Sequence, residues 1–163
     1  MPSKSKSKPW SMFPSRHGDV AKLLAKSDLT FAFHDMDQNN CVEEYDTNIK
    51  GKFSCHNPKC AAKGWSSKVV PITIRMYPGQ KYNARVYHQR CKACNRLWKP
   101  RLDESYAERI VYRLKKWSGV EVQRPIYEEA GDDRRPHISR LCEGCQAGHC
   151  VLGSRVSNGV GIV

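Results

Sequence analysis

A chain of 163 residues, net charge +12, pI near 9.5 and mean hydropathy −0.67 has room for one ordinary domain with polar tails. No apolar run approaches the ~20 residues of a membrane helix, and eight cysteines are too few for a small secreted disulfide scaffold. The basic balance favours an acidic partner, nucleic acid first among them.

The chain opens MPSKSKSKPW, polar and basic where a secretory leader would be apolar, and it contains no N-x-[ST] sequon. The expectation is an intracellular protein, cytoplasmic or nuclear, in a reducing compartment where cysteine clusters bind metal more often than they cross-link. Residues 1–17 read as a disordered basic arm. DVAKLLAKS (19–27) is a short helix with Asp19 as N-cap and Val20, Leu23 and Leu24 inward. DMDQNNCVEEYD (35–46) is an acidic loop, and IKGKFSC (49–55) a strand running into a cysteine. VVPITIRMYP (69–78) carries Val70, Ile72, Ile74 and Met76 on one face, with Pro71 predicting an edge strand or a bulge. KYNARVYHQRC (81–91) is another strand ending in a cysteine. DESYAERIVYRLKKW (103–117) is the clearest helix, capped by Asp103, with Tyr106, Ile110, Leu114 and Trp117 at helical spacing. Residues 120–136 form a polar linker and the last ten residues fray.

The cysteines fall as Cys55-x4-Cys60, Cys91-x2-Cys94, Cys142-x2-Cys145 and Cys150, with Cys41 apart. A tight Cys-x2-Cys turn lets two thiolates converge on one tetrahedral ion, and two such knuckles at strand ends form a ribbon-type structural zinc site. Cys55, Cys60, Cys91 and Cys94 are assigned to the first ion. Cys142, Cys145 and Cys150 supply three ligands of a second, and His137 and His149 compete for the fourth. His149 adjoins Cys150, so the two side chains would have to converge from neighbouring positions. His137, five residues upstream of Cys142, folds back freely and is preferred; His56, beside Cys55, stays a spare. Two structural Zn2+ ions per chain follow.

Other readings fit less well. A redox Cys-x-x-Cys wants one pair in a βαβ setting, which is absent. A catalytic zinc needs an open coordination position, and no H-x-E precedes a P-C-x-x-C as deaminase chemistry requires. Cys41 is a small hydrophobe or a free thiol. The chain is therefore expected not to be an enzyme.

GKFSC…C…GWSSKVVPITI, YNARVYHQRCKAC and HISRLCEGCQAGHC, in that order over roughly residues 45–152, resemble the 3CxxC-type zinc-finger family. That family includes receptor-transporting proteins, which help membrane receptors reach the cell surface, zygote-arrest proteins, whose zinc domain binds RNA, and many fungal members. The resemblance implies that the matching cysteines and His137 are zinc ligands. The first pair departs from the family pattern in being Cys-x4-Cys, and the C-terminal membrane helix typical of receptor-transporting proteins is not expected here. The fold class expected is α+β: a small zinc-stapled, β-rich, zinc-ribbon-like domain with a packed amphipathic helix and a short N-terminal helix. It would span residues 18–152 (core about 45–152), with a flexible tail at 153–163.

Residues 81–117 hold eleven Lys or Arg against Asp103, Glu104 and Glu108, interleaved with Tyr82, Tyr87, Trp98, Tyr106, Tyr112 and Trp117. Basic side chains neutralise phosphates and exposed rings stack on unpaired bases. Arg85, Arg90, Lys92, Arg96, Lys99 and Arg101 are the contact candidates, with Lys4, Lys6 and Lys8 adding affinity from the arm. The expected function is RNA binding, single strands favoured, without a small-molecule substrate or a membrane span. The alternative is a protein adaptor or a receptor-folding chaperone.

Overall fold

A computed structural model describes residues 8–122 and 138–150. Its centre is an antiparallel meander of β3 (Glu43–Ser54), β4 (Gly64–Tyr77) and β5 (Lys81–Tyr87). Short strands complete the sheet. β1 (Trp10–Ser11) pairs antiparallel with β5, β2 (Ala32–Phe33) pairs parallel with β5, and β8 (Arg101–Leu102) pairs antiparallel with β3. A separate hairpin joins β6 (Gln89–Arg90) to β7 (Leu97–Trp98).

Strand alternation supplies the apolar face. Ile49 and Phe53 of β3, Val70, Ile72 and Ile74 of β4, and Tyr82, Ala84 and Val86 of β5 all share one core. Two helices cover that face, α1 (His17–Ala25) and α2 (Glu104–Trp117). The N-cap of α2 is Asp103, whose carboxylate accepts the Ser105 N–H at 2.9 Å. Tyr106, Ile110 and Leu114 of α2 are buried and Trp117 packs at the rim, as their helical spacing predicts.

The opposite face is also buried, but polar. Thr73, Arg75, Tyr77, Asn83 and Tyr87 are each less than a tenth exposed. The 34–42 segment closes one end, with Asn83 Nδ2 donating to the carbonyls of His34 and Met36 at 3.1 Å each. The short helix α3 (Glu143–Gln146) closes the other, seating Gly144 on the Pro71 ring.

Several expectations change, among them that α1 begins at His17 with Arg16 at its N-cap position, so Asp19 lies in its first turn and is not its cap. The stretch 8–17 is part of the fold and not of a free arm: Trp10 and Ser11 pair with Tyr87 and Val86, and Phe13 packs edge-on against Tyr106 at 6.1 Å. Two apolar rings in a basic stretch are enough to anchor it; residues 1–7 lie outside the described residues. Pro71 sits in β4, the central strand, so of the two alternatives the edge fails and the bulge is found. Its missing N–H is tolerated because pairing with β5 stops at Ile72 and a β-bulge just before it, between Ser67 and Val70, breaks the register with β3. The end of the acidic loop, from Glu43, is already strand β3. Most of the 120–136 linker and the C-terminal tail lie outside the described residues. No helix among the described residues is long and apolar enough to cross a membrane.

Candidate metal centres

Cys55 follows the end of β3 and Cys60 lies in the β3–β4 connection, while Cys91 and Cys94 form the turn between β6 and β7. Each loop is closed by its own backbone. The Cys55 N–H donates to Lys63 O at 3.1 Å, Cys91 N–H to Arg96 O at 2.9 Å and Asn95 N–H to Cys91 O at 2.7 Å. The turn asks Asn95 for φ +61°, a conformation asparagine tolerates better than most residues. The four sulfurs lie within 4.8 Å of one another. Cys55 Sγ is 3.6 Å from Cys94 Sγ, and Cys60 Sγ 3.8 Å from Cys91 Sγ. A tetrahedron with ~2.3 Å Zn–S arms has edges of about 3.8 Å, so the donor set fits zinc.

The electrostatics point the same way. The Arg96 backbone N–H, with help from Asn57 and neighbouring thiols, lowers Cys94 to about 6. Cys60 is lowered by the Ala62 N–H, but burial and the Cys91, Cys94 and Cys55 sulfurs outweigh it and push it up to about 12. Burial raises Cys55 as well. Once one sulfur is anionic its neighbours resist ionising, and four thiolates coexist only around a cation. No disulfide joins any of the eight cysteines.

The second group is Cys142, Cys145 and Cys150, again within 4.8 Å of one another, with Cys142 and Cys150 fully buried beside Val69. Helix α3 and the turn after it bring them together: Gln146 N–H donates to Cys142 O and His149 N–H to Gly144 O. The Cys150 sulfur, then burial, drives the Cys142 thiol strongly upward, so this set too favours a cation over three bare thiolates. A closed tetrahedron needs a fourth ligand. His137 lies outside the described residues. His149 groups with Glu44 and Asp46 and not with the three sulfurs; its Nδ1–H donates to Asp46 Oδ2 at 2.9 Å, and its ring stacks on Tyr87 at 5.8 Å. Cys41 stands apart near Glu44, and His56 lies edge-on to Trp98.

The basic candidates divide. Arg85 makes a forked ion pair with Asp37, Nε to Oδ1 at 2.9 Å and Nη2 to Oδ2 at 2.6 Å, and its guanidinium covers Trp10. Arg90 Nε donates to Glu143 Oε1 at 2.8 Å and Nη1 to Asn95 O at 3.1 Å. These two charges tie the 34–42 segment to the sheet and α3 to the β6–β7 hairpin. Lys92, Arg96, Lys99 and Arg101 are exposed, Lys99 lying over the Phe13 ring at 4.6 Å. Of the interleaved aromatics, Tyr82, Tyr87 and Tyr106 are core residues, whereas Trp98, Tyr112 and Trp117 are half-buried. The partners that remove Arg85 and Arg90 lie 48 and 53 residues away, beyond the reach of local pattern.

Residues 48–148 match the Zn_ribbon_3CxxC family, described as a zinc-binding domain. No curated protein and no solved structure matches the chain.

Proposed function

The chain belongs to the 3CxxC zinc-ribbon family, and from that premise we propose a non-enzymatic module, stapled by two structural zinc ions, that binds single-stranded RNA. The zinc ligands would be Cys55, Cys60, Cys91 and Cys94 for one ion, and His137, Cys142, Cys145 and Cys150 for the other. Both sets would be closed, leaving no open position for a reacting water. The observation that carries the RNA reading is the second knuckle and its hairpin. Lys92, Arg96, Lys99 and Arg101 are exposed on this short stretch of chain, which also carries half-buried Trp98. Cations at this density neutralise phosphates, and a ring among them offers a base a stacking surface.

The test is fluorescence anisotropy with a labelled 15-nucleotide single-stranded RNA at low salt. Lys92→Glu, Arg96→Glu and Lys99→Glu together should weaken binding at least tenfold while zinc content and circular dichroism stay those of the parent. Unchanged affinity would refute this surface. One observation favours a protein partner as the second reading: Met36, Val42 and Tyr45 are large hydrophobics left 50 %, 55 % and 41 % exposed. A partner held there would bind with little dependence on salt, whereas RNA affinity falls steeply.

A further inference from the structure

Between β3, β4, β8 and the start of α2 lies a cleft of about 400 Å³. That volume is at the small end of ligand clefts, ~300–1,000 Å³. Four cations line it, Lys50, Lys52, Lys68 and Arg101.

The register explains the clustering. Lys52 sits directly opposite Arg101 on one side and Ser66 on the other, and directly opposed residues project from the same sheet face. Like charges in that relation repel. The bulge that breaks the β3–β4 register after Ile49 adds Lys50 and Lys68 to the same place. β8 approaches this closely because residue 51 is glycine: a Cβ there would lie 3.2 Å from both Pro100 Cβ and Val70 Cγ2. The lining carboxylate, Asp103, is engaged as the α2 cap through Ser105 N–H and Oγ. Among the described residues, none of Lys52, Lys68 and Arg101 has a carboxylate within ion-pairing distance. The cleft thus gathers four cations against one carboxylate, Asp103, with which Lys52, Lys68 and Arg101 make no ion pair, and its wall offers the Ser66 hydroxyl but no aromatic ring.

We propose that this cleft is a phosphate-anchoring subsite that takes consecutive backbone phosphodiesters of a single-stranded RNA, an inference resting on the RNA reading above. With cations and a hydroxyl but no ring, it holds the backbone without reading a base, so its contribution is independent of sequence. The exposed knuckle cations and Trp98 would engage the same strand further along.

The experiment compares the full chain with a Lys52→Gln, Lys68→Gln, Arg101→Gln variant, binding oligo(U) and oligo(A) of 15 nucleotides over a salt series. The three substitutions lie on exposed side chains and spare the core and the cysteines; zinc content and circular dichroism verify the fold, and Lys52→Gln and Lys68→Gln singly replace the triple if it misfolds. Each phosphate contact on a single strand contributes ~0.7 to the log–log salt slope. The triple should shallow the slope by about 1.4 to 2.1, two to three contacts, equally for both oligonucleotides; each single should shallow it by about 0.7. An unchanged slope in a variant that folds overturns the subsite while the RNA reading stands. Inorganic pyrophosphate, followed by backbone amide shifts, separates the other failure. If it shifts the amides of Gly51, Lys52 and Ser66 while neither oligonucleotide binds the parent, the nucleic-acid source is overturned together with the RNA reading. Displacement of bound oligo(U) by pyrophosphate, with those same amides shifting, supports the proposal.

Discussion

Asp46 accepts hydrogen bonds from Thr73 Oγ1 at 2.7 Å and from His149 Nδ1 at 2.9 Å. That pair fastens the C-terminal knuckle to the polar face of the sheet, and neither ring nitrogen of His149 groups with the three sulfurs. In the reading proposed above, His137 would complete the second tetrahedron. His137→Ala should lower zinc from two ions per chain to one after dialysis against a mild chelator. His149→Ala should keep both ions and lose about 1 kcal/mol of stability, the usual worth of one hydrogen bond. Metal analysis of both variants decides it, and the reverse pattern would transfer the ligand role to His149. The sulfurs were legible because Cys spacing is local. The pairing of Arg85 with Asp37 and of Arg90 with Glu143 was not, because a charge count carries no information about which charges meet across the fold. Lys50, Lys52 and Lys68 were missed for the same reason: only strand register sets them beside Arg101.

At the scale of elements, α2 was readable almost to the residue, since its cap and its apolar stripe both lie within the segment. Asp103→Ala should cost about 1 kcal/mol in urea denaturation, the range for losing an N-cap. It should cost less than Leu114→Ala, which empties a fully buried site and should cost ~2–5 kcal/mol. Strand β4 was harder. Its alternation of Val70, Ile72 and Ile74 predicts one buried face, but its other face is covered by segments distant in the chain. Gly144 is one tight point of that cover. A Cβ there would fall 2.4 Å from Pro71 Cγ and 2.5 Å from Pro71 Cβ, atoms of a stiff ring that cannot swing aside. Gly144→Ala should therefore push α3 off the sheet at a cost of ~1–3 kcal/mol, the range for overpacking. Limited proteolysis should then cut faster near residues 138–150, while β3–β5 stay protected. Equal cleavage of variant and parent would mean that α3 is not held by this contact.

For the whole molecule, acid stability joins the metal sites to the sheet. The ring of His88 is buried with Nε2 2.7 Å from Ser11 Oγ, which holds the N-terminal strand β1 to the end of β5. Burial first, and then the Lys99 charge, lowers its pKa from 6.5 to about 4. Between those values the unfolded chain binds a proton that the folded chain refuses. The stability contributed by neutral His88 is complete above about 6.5 and is lost as pH falls toward 4. Protons also compete with zinc for the thiolates over the acid range, so both effects weaken the fold in the same direction. His88→Gln separates them: it removes the imidazole titration and leaves every sulfur in place. With zinc in excess, stability of this variant should fall less steeply than the parent's from pH 6.5 to 4, by at most ~1.4 kcal/mol per pH unit, the slope of one proton. Imidazole resonances of the parent should show one histidine with a midpoint about 4 that disappears in the variant. A His88 ring that instead titrates near 6.5 would be solvated in the folded protein, and the two denaturation profiles would then run parallel.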